Sequence, residues 1–355
     1  MPKISINLLG WNHKEELAPT IEAVLRQTFL DFELIFTDNA SSDGSADFVA
    51  EHYPQVKVVG NQKNLGYAGG HNKFFASAVS EFVMVLNPDV RLEPNFLEEA
   101  LKPFADPRVA AVTGKLLRPP LRFPLLDKEG IKGEVLDTTG LIVNRARRGR
   151  DRGQWEEDRG QYDGQNEVFG SNGAAPIFRL AALEKVKIPF SAFSSPRAGD
   201  DARRAGEGEY YDEDFFAYWE DLDLSWRLKL AGFNCGFAPR AVAYHGRAAG
   251  QSRGGYLKIM DFIKHHRKLP PNIKKWNWRN HLFCVIKNDF GWPFWRDLPF
   301  ILARELAMFM FILIFETRTL SVIPEFLRLL PKMLIKRRYI QKYKQVSSKE
   351  VLSWF

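Results

Sequence analysis

From residue 4 to about Gly114, short β-branched or apolar runs alternate with longer amphipathic patterns. That alternation commits the chain to an α/β fold, a mostly parallel sheet flanked by helices. The run "ISINLL" predicts the first strand, and residues 15–26 predict a helix whose Leu17, Ile21, Val24 and Leu25 recur at helical spacing. "FELIFTD" follows as a strand, then residues 43–52 as a helix for which the Ser-Ser-Asp-Gly run supplies the N-cap. "VKVVGN", a helix over about 68–79, "FVMVLN", a helix after Pro94 and "VAAVTG" continue the series. An open sheet of this kind binds ligands outside the carboxyl ends of its strands. Asp38, Asn64 and Asp89 all fall at such ends, so they are predicted to face one crevice.

The middle of the chain is less regular. Residues 145–165 and 194–213 are charged, Gly-rich and poor in aliphatic residues, the composition of long, mobile surface loops that can act as lids. In "FFAYWEDLDLSWRLKLAGF", Leu222, Trp226 and Leu230 share one helical stripe and Gly232 ends the helix; a strand "VAYH" follows. Further on, residues 298–315 are strongly apolar yet carry Arg304 and Glu305, which argues against a simple transmembrane span. Residues 318–345 hold eight Lys/Arg against the single acid Glu325, interleaved with aliphatics. That pattern suits helices lying in the plane of an anionic membrane surface, with packing onto the catalytic domain as the alternative.

At 355 residues the chain can hold one large domain plus an appendage. The net charge of +7 calls for an anionic partner, and the basic residues cluster among C-terminal aliphatics rather than along an aromatic-lined groove. Lipid is therefore expected and nucleic acid is not. Cys235 and Cys284 lie far apart with no CxxC or His-rich neighbour, which fits a reducing compartment without a disulfide framework or zinc site. The N-terminal apolar run is too short for a secretory signal and is expected to open a cytosolic domain.

Three clusters carry chemistry. In "TDNASSDGS", Asp38 can accept a hydrogen bond from a nucleotide base, or the run can be a cap and turn alone. In "NLGYAGGHN", Gly66, Gly69 and Gly70 allow the backbone to approach a ribose or diphosphate, although a plain Gly-rich turn explains them equally well. The spacing matches neither the GxGxxG fingerprint nor a P-loop. The third is the pair Asn87-Pro88-Asp89 and Trp219-Glu220-Asp221. Asp89 is either a ligand for Mg²⁺ or Mn²⁺ or the polar stop of a strand. An acid from the distant helix start can serve as general base, while Glu220, Asp221 and Asp223 also suit the first turn of a helix electrostatically. "YHGRAAGQS" can bring His245 or Arg247 to a diphosphate or metal, or His245 can be structural.

The ordered set "NLLGWN", "TDNASSDGS", "NLGYAGGHN", "LNPDV", "SNGAAPIFRLAALEKV", "FFAYWEDLDLSWRLKLAGF", "VAYHGRAAGQS" and "RNHLFCVIKN" resembles the family 2 inverting glycosyltransferases. The likeness is greatest to the bacterial rhamnosyltransferase-like members that build surface polysaccharides, and it covers residues 3–290. It implies a GT-A fold over residues 1–290, with a nucleotide-sugar half at 1–115 and an acceptor half at 116–290, then a basic membrane-association region at 291–355. It implies a donor site drawn from Asn12, Asp38, Asn64, Gly66, Gly70, Asn72, Asn87 and Arg227, and an acceptor side from Gly173, Ala174, Trp219 and Trp226. Asp89, with His245, would hold Mg²⁺ or Mn²⁺, and Asp221 would be the catalytic base beside Glu220. The family's DxD motif departs here to Asn87-Pro88-Asp89, which removes one charge from the metal position. The implied activity is transfer of rhamnose from a dTDP donor to a glycan or polyprenyl-diphosphate-linked acceptor at the cytoplasmic face of the inner membrane. A catalytically degenerate scaffold of the same fold is the alternative.

Overall fold

The computed structural model describes residues 1–119, 134–193, 208–246, 263 and 266–355. Strands β1 (Ile4–Gly10), β2 (Phe32–Asp38), β3 (Lys57–Gly60) and β4 (Phe82–Leu86) form the parallel half of a ten-stranded sheet. Helices α1 (Lys14–Leu25), α2 (Ser45–His52) and α3 (Gly66–Ser77) connect them. The β4 run Phe-Val-Met-Val-Leu is buried on both faces, as a continuous apolar stretch in a covered sheet must be. Register aligns Gly10 with Asp38, Asp38 with Gly60, and Leu8 with Leu86. The carboxyl ends of these strands therefore lie along one edge.

Beyond β4 the chain adds β5 (Val90–Leu92), α4 (Phe96–Leu101), β6 (Val109–Leu117), β7 (Leu136–Thr138), β8 (Leu141–Val143), β9 (Gly149–Asp151), β10 (Glu167–Val168) and β11 (Ile177–Arg179). After α5 (Leu180–Val186) come β12 (Ile188–Pro189), β13 (Gly208–Glu209), α6 (Glu220–Leu230) and β14 (Asn234–His245). The sheet runs β10-β14-β6-β11-β4-β1-β2-β3, with β11 antiparallel to both β4 and β6. Three residues, Ile-Phe-Arg, give β11 too short a pattern to announce itself, and its neighbours supply the pairing. β14 is much longer than "VAYH" because its first half pairs with β6 before an irregularity between Ala238 and Val242, around Pro239.

One face of the sheet packs Ile4, Ile6 and Leu8 against Leu17, Ile21 and Val24 of α1. The other packs Val83 and Val85 against Phe74, Phe75, Leu224 and Leu228. A third core joins Leu222, Trp226 and Leu230 of α6 to Phe283 of α7 (Pro271–Asn288) and to Met333 and Ile340 of α9 (Ile323–Tyr343). Between them runs α8 (Gly291–Phe315), and α10 (Ser348–Leu352) ends the helices. Residues beyond 290 thus share a core with the catalytic half, so position 290 does not separate two cores.

Two expected surface loops need correction. Residues 145–165 are tied down: Arg147 is fully buried and bridges Asp289 (2.7 Å) and Asp297 (2.9 Å), while the buried Arg152 donates to Thr139 Oγ1 at 2.9 Å. In the second segment, residues 194–207 lie outside the described residues, but Glu209, Tyr210, Tyr211 and Asp212 are buried. Composition marks such charges as solvated because their partners come from helices far along the chain. α6 matches its expected stripe, and Gly232 follows it with φ +83°. The two cysteines are free and buried.

Candidate active site

On the donor side, Asp38 accepts the Ser41 amide with both carboxylate oxygens (3.1 and 3.3 Å). Asn39, beside it, escaped the sequence reading and is the hub of the strand-end network. Its amide group donates to Asn64 Oδ1 (2.9 Å) and the Gly66 carbonyl (3.1 Å), and its Oδ1 accepts from Asn61 (3.1 Å) and the Leu65 amide (3.0 Å). Asn64 Oδ1 accepts the Gly66 amide at 2.8 Å. Asn12, with φ 56°, holds the adjacent turn through the Ser42 amide at 2.8 Å. Gly66 has φ +71°, and a Cβ there would meet the Phe216 carbonyl at 2.4 Å, so only glycine lets α3 approach the segment before α6.

Four expected ligand contacts are corrected by burial. Gly70 serves packing, since a Cβ would lie 2.7 Å from Leu9. Asn72 is spent on the backbone of Tyr211, donating at 2.8 Å and accepting at 2.8 Å. Arg227 is fully buried, bound to Asp223 (3.0 Å) and the Val186 carbonyl (2.8 Å). Trp226 is also fully buried, against Phe169 and Phe355. An amphipathic stripe alone does not distinguish core from cavity; the third core claims Trp226, and Arg227 is buried against Val186 and Tyr210 of the second.

A cavity of about 410 Å³ opens at the strand ends, within the size range of small-molecule sites. It brings together Asn87, Asp89, Gly173, Ala174, Trp219, Glu220, Asp221 and His245. Asp38 and Asn64 are not among its lining residues. Tyr67, Arg150, Asn172, Tyr218 and Asn277 also line it and were not singled out in the sequence. Arg247 lies outside the described residues.

His245 is held between two carboxylates: Nδ1 is 2.8 Å from Asp137 Oδ2 and Nε2 is 3.5 Å from Asp89 Oδ1. Burial alone would push its pKa down, but the hydrogen bonds and charges of Asp137 and Asp89 more than offset this and raise it to about 9. Burial likewise pushes Asp89 up, and His245 reverses the sign, so Asp89 stays ionised. An imidazole fixed at Nδ1 by a carboxylate and presenting Nε2 beside a second carboxylate is a donor set that suits a divalent cation, which would have to displace the proton that the two carboxylates keep on His245. Glu209, Asp212 and Asp214, whose ligand atoms lie within 4.8 Å of one another, form the one acidic metal-sized group among the described residues. Lysines already fill it: Lys287 reaches Asp212 at 2.5 Å, Lys332 reaches Asp214 at 2.7 Å, and Lys336 reaches all three at 2.5 to 2.9 Å. None of these acids lines the cavity.

Across the cavity, Asp221 accepts the Gly173 amide (3.2 Å) and its neighbour Leu222's amide (2.7 Å) at the start of α6. Glu220 is buried beside it, and burial, then the charge of Asp221, holds its pKa well above the usual carboxylate range. Burial thus favours the protonated form of Glu220. Asp223 faces inward to Arg227, Lys287 and Asn288. The segment before α6 is unusual, because Phe216, Tyr218 and Trp219 all have positive φ (63°, 72° and 75°). Such conformations cost free energy in non-glycine residues and persist where surroundings impose them. α7 does so: Asn280 Nδ2 donates to the carbonyls of Phe215, Ala217 and Tyr218 (3.0, 3.1 and 2.9 Å), and Asn277 accepts from Trp219 Nε1 at 3.2 Å.

A mixed, mostly parallel sheet with its cavity at the strand ends is the GT-A fold of glycosyltransferases. One solved structure, GalNAc-T7 with UDP, GalNAc and Mn²⁺, superimposes with a TM-score of 0.54 at 10% identity, covering 81% of this chain and 48% of that one. Residues 10–179 match Glycosyl transferase family 2. It is similar to the N-acetylglucosaminyl-diphospho-decaprenol L-rhamnosyltransferase of Mycobacterium tuberculosis (strain ATCC 25618 / H37Rv), 25% identical over 270 residues, 71% of this chain and 78% of that one. It is also similar to the poly-beta-1,6-N-acetyl-D-glucosamine synthase of Staphylococcus epidermidis, 24% identical over 248 residues, 68% of this chain and 49% of that one. The chain spans about half the length of GalNAc-T7 and of this synthase.

Proposed function

We propose that this glycosyltransferase moves a sugar with inversion from a nucleotide-diphosphate donor to a polyprenyl-diphosphate-linked acceptor in cell-surface polysaccharide synthesis. Rhamnose from dTDP-rhamnose is the donor we favour, and an N-acetylglucosamine-bearing lipid the acceptor, in line with what the mycobacterial relative's name says it acts on. One observation carries the reading: Glu220 and Asp221 line the same cavity as the Asp89 and His245 pair.

In this mechanism the Asp221 carboxylate takes the acceptor hydroxyl proton while that oxygen attacks the anomeric carbon from the face opposite the diphosphate. The Gly173 and Leu222 amides hold the carboxylate in place. Burial of Glu220 favours its neutral form, which limits negative charge beside Asp221. Asp89 and His245 are the residues that would hold Mg²⁺ or Mn²⁺, which when bound supplies positive charge against the departing diphosphate. Asn87 lines the same wall and offers a neutral oxygen where the family's motif has an acid.

The outer face of the C-terminal helices supports binding at the cytoplasmic surface of a membrane. α8 is long and apolar enough to cross a membrane by length and composition, with a mean hydropathy of 2.1 over its best window, of which 11% is buried. Its charges point inward, however: Glu305 lies 3.1 Å from His281 of α7, and Arg304 bonds the same imidazole at 2.6 Å. The outward face carries Trp292, Trp295, Leu302, Leu306, Leu313 and Ile314. A helix with one side bound to protein and the other apolar fits the plane of the interface.

A panel of nucleotide sugars, assayed for hydrolysis and for transfer to prenyl-diphosphate-linked N-acetylglucosamine, tests the proposal. Turnover of dTDP-rhamnose above all other donors is expected; failure to turn over any nucleotide sugar would overturn the catalytic reading.

A further inference from the structure

The cavity is lined on one side by β9, and the fit there is close. A Cβ on Gly149 would lie 3.0 Å from Leu222, the residue after Asp221, so the strand lies directly against the start of α6. The next residue, Arg150, is exposed and lines the cavity. Asp89, Asp151, Glu220 and Asp221 line it too, yet Arg150 makes no side-chain ion pair among the described residues. The other basic group of the wall, His245, is already placed between Asp89 and Asp137. Arg150 is thus the free cation of the lining among the described residues, held on an ordered strand paired with Ile142 of β8.

The turn that joins β8 to β9 binds the beginning of α8. Arg145 reaches Asp297 at 2.7 Å and lies 4.1 Å over the Phe300 ring. Arg147 bridges Asp289 and Asp297, and donates to the Pro293 carbonyl at 3.1 Å. Trp292 and Trp295, 64% and 63% exposed, stand on that same end of α8. Arg147 and Arg150 are separated by three residue steps, about 10 Å of extended chain. One short hairpin therefore connects the most exposed aromatic part of the apolar helix to the cavity beside Asp221.

We propose that Arg150 binds the diphosphate of a prenyl-diphosphate acceptor, which reaches the cavity along the β8–β9 hairpin from the surface carrying Trp292 and Trp295. The inference deepens the function proposed above and rests on its lipid-linked acceptor. A guanidinium is suited to this role: it stays charged at any physiological pH and binds phosphate oxygens in a bidentate manner. The polyprenyl chain would remain at the apolar face of α8 while the headgroup sugar faces Asp221.

Binding of farnesyl diphosphate, farnesol and dTDP to the full-length protein, with Mn²⁺ and with EDTA, separates the possible sources of the anion. For Arg150→Ala, farnesyl diphosphate affinity should fall at least about tenfold in both buffers, Arg150→Lys should recover part of it, and farnesol and dTDP binding should stay within about twofold. Unchanged farnesyl diphosphate binding in Arg150→Ala would overturn the proposal, as would an equal loss of dTDP binding, which would assign Arg150 to the donor. Because these are binding measurements, an absence of nucleotide-sugar turnover would count against the catalytic reading without deciding the Arg150 result.

Discussion

Glu220 and Asp221 are adjacent in the chain and opposite in chemistry. Burial keeps the proton on Glu220, whereas Asp221 sits at the cavity with two amides directed at its oxygens. Asp221→Asn should therefore lower kcat by about 10² to 10⁴-fold while leaving donor affinity nearly intact, as steady-state kinetics with calorimetric donor titration will reveal. Glu220→Gln replaces one neutral group by another of the same shape, so kcat should stay within about tenfold of the parent; a loss as deep as that of Asp221→Asn would show that Glu220 works as an anion. The sequence made the Glu-Asp pair visible and left the two roles unseparated. What distinguishes them is burial, together with the proximity of Tyr67 and Tyr211, which are distant in the chain.

Among elements, α9 illustrates what a charge pattern can and cannot reveal. Its lysines and arginines suggested a solvated, lipid-facing surface, but Lys336 is fully buried and Lys332 and Arg337 also turn inward, to Asp214 and to the carbonyls of Ile286 and Asp289. Arg318, Arg328, Arg338 and Lys342 remain exposed. Lys336→Met would strand the buried acids Glu209 and Asp212, and should destabilise the protein by about 3–5 kcal/mol in urea denaturation. Burial pushes Asp212 up, but Lys287 and Lys336 more than offset it and hold its pKa well below 3.8. A depressed carboxylate contributes stability above its unfolded pKa and loses it as pH falls through the folded value. The parent should accordingly lose stability as pH drops below about 4, and Lys336→Met should show a shallower decline. Elements with a long period were legible: β1 to β4, α1, α3 and α6 all follow from their own residues. β11, the β8–β9 hairpin and the buried residues 208–212 were not, because each is specified by partners more distant than any local window.

For the whole molecule, the ends of the sheet strands define the cavity, α7 adds Asn277 to its lining, and α8 presents an outer apolar face. Trp292, Trp295, Leu306 and Ile314 are exposed on that face and support no core. Changing Leu306 and Ile314 together to Ser should leave the thermal midpoint within about 3 °C and reduce sedimentation with anionic phosphatidylglycerol vesicles at least about fivefold. Undiminished sedimentation would place the lipid contact elsewhere. Deleting residues 294–355 would not isolate this property, since Met333, Lys336 and Ile340 complete the interior.

The Lys336 cluster also sets an order of events during synthesis. Lys336 and Asp212 are 124 positions apart. At typical translation rates the ribosome needs about 6 to 25 s to pass from one to the other. Over that interval Asp212 can meet Lys287 but not the lysine that joins all three acids, so the nascent chain can build the parallel half of its sheet while the buried cluster ahead of α6 stays incomplete. The cluster closes only when α9 has been made, and a ribosome stalled short of it would release a chain whose buried acids lack Lys336.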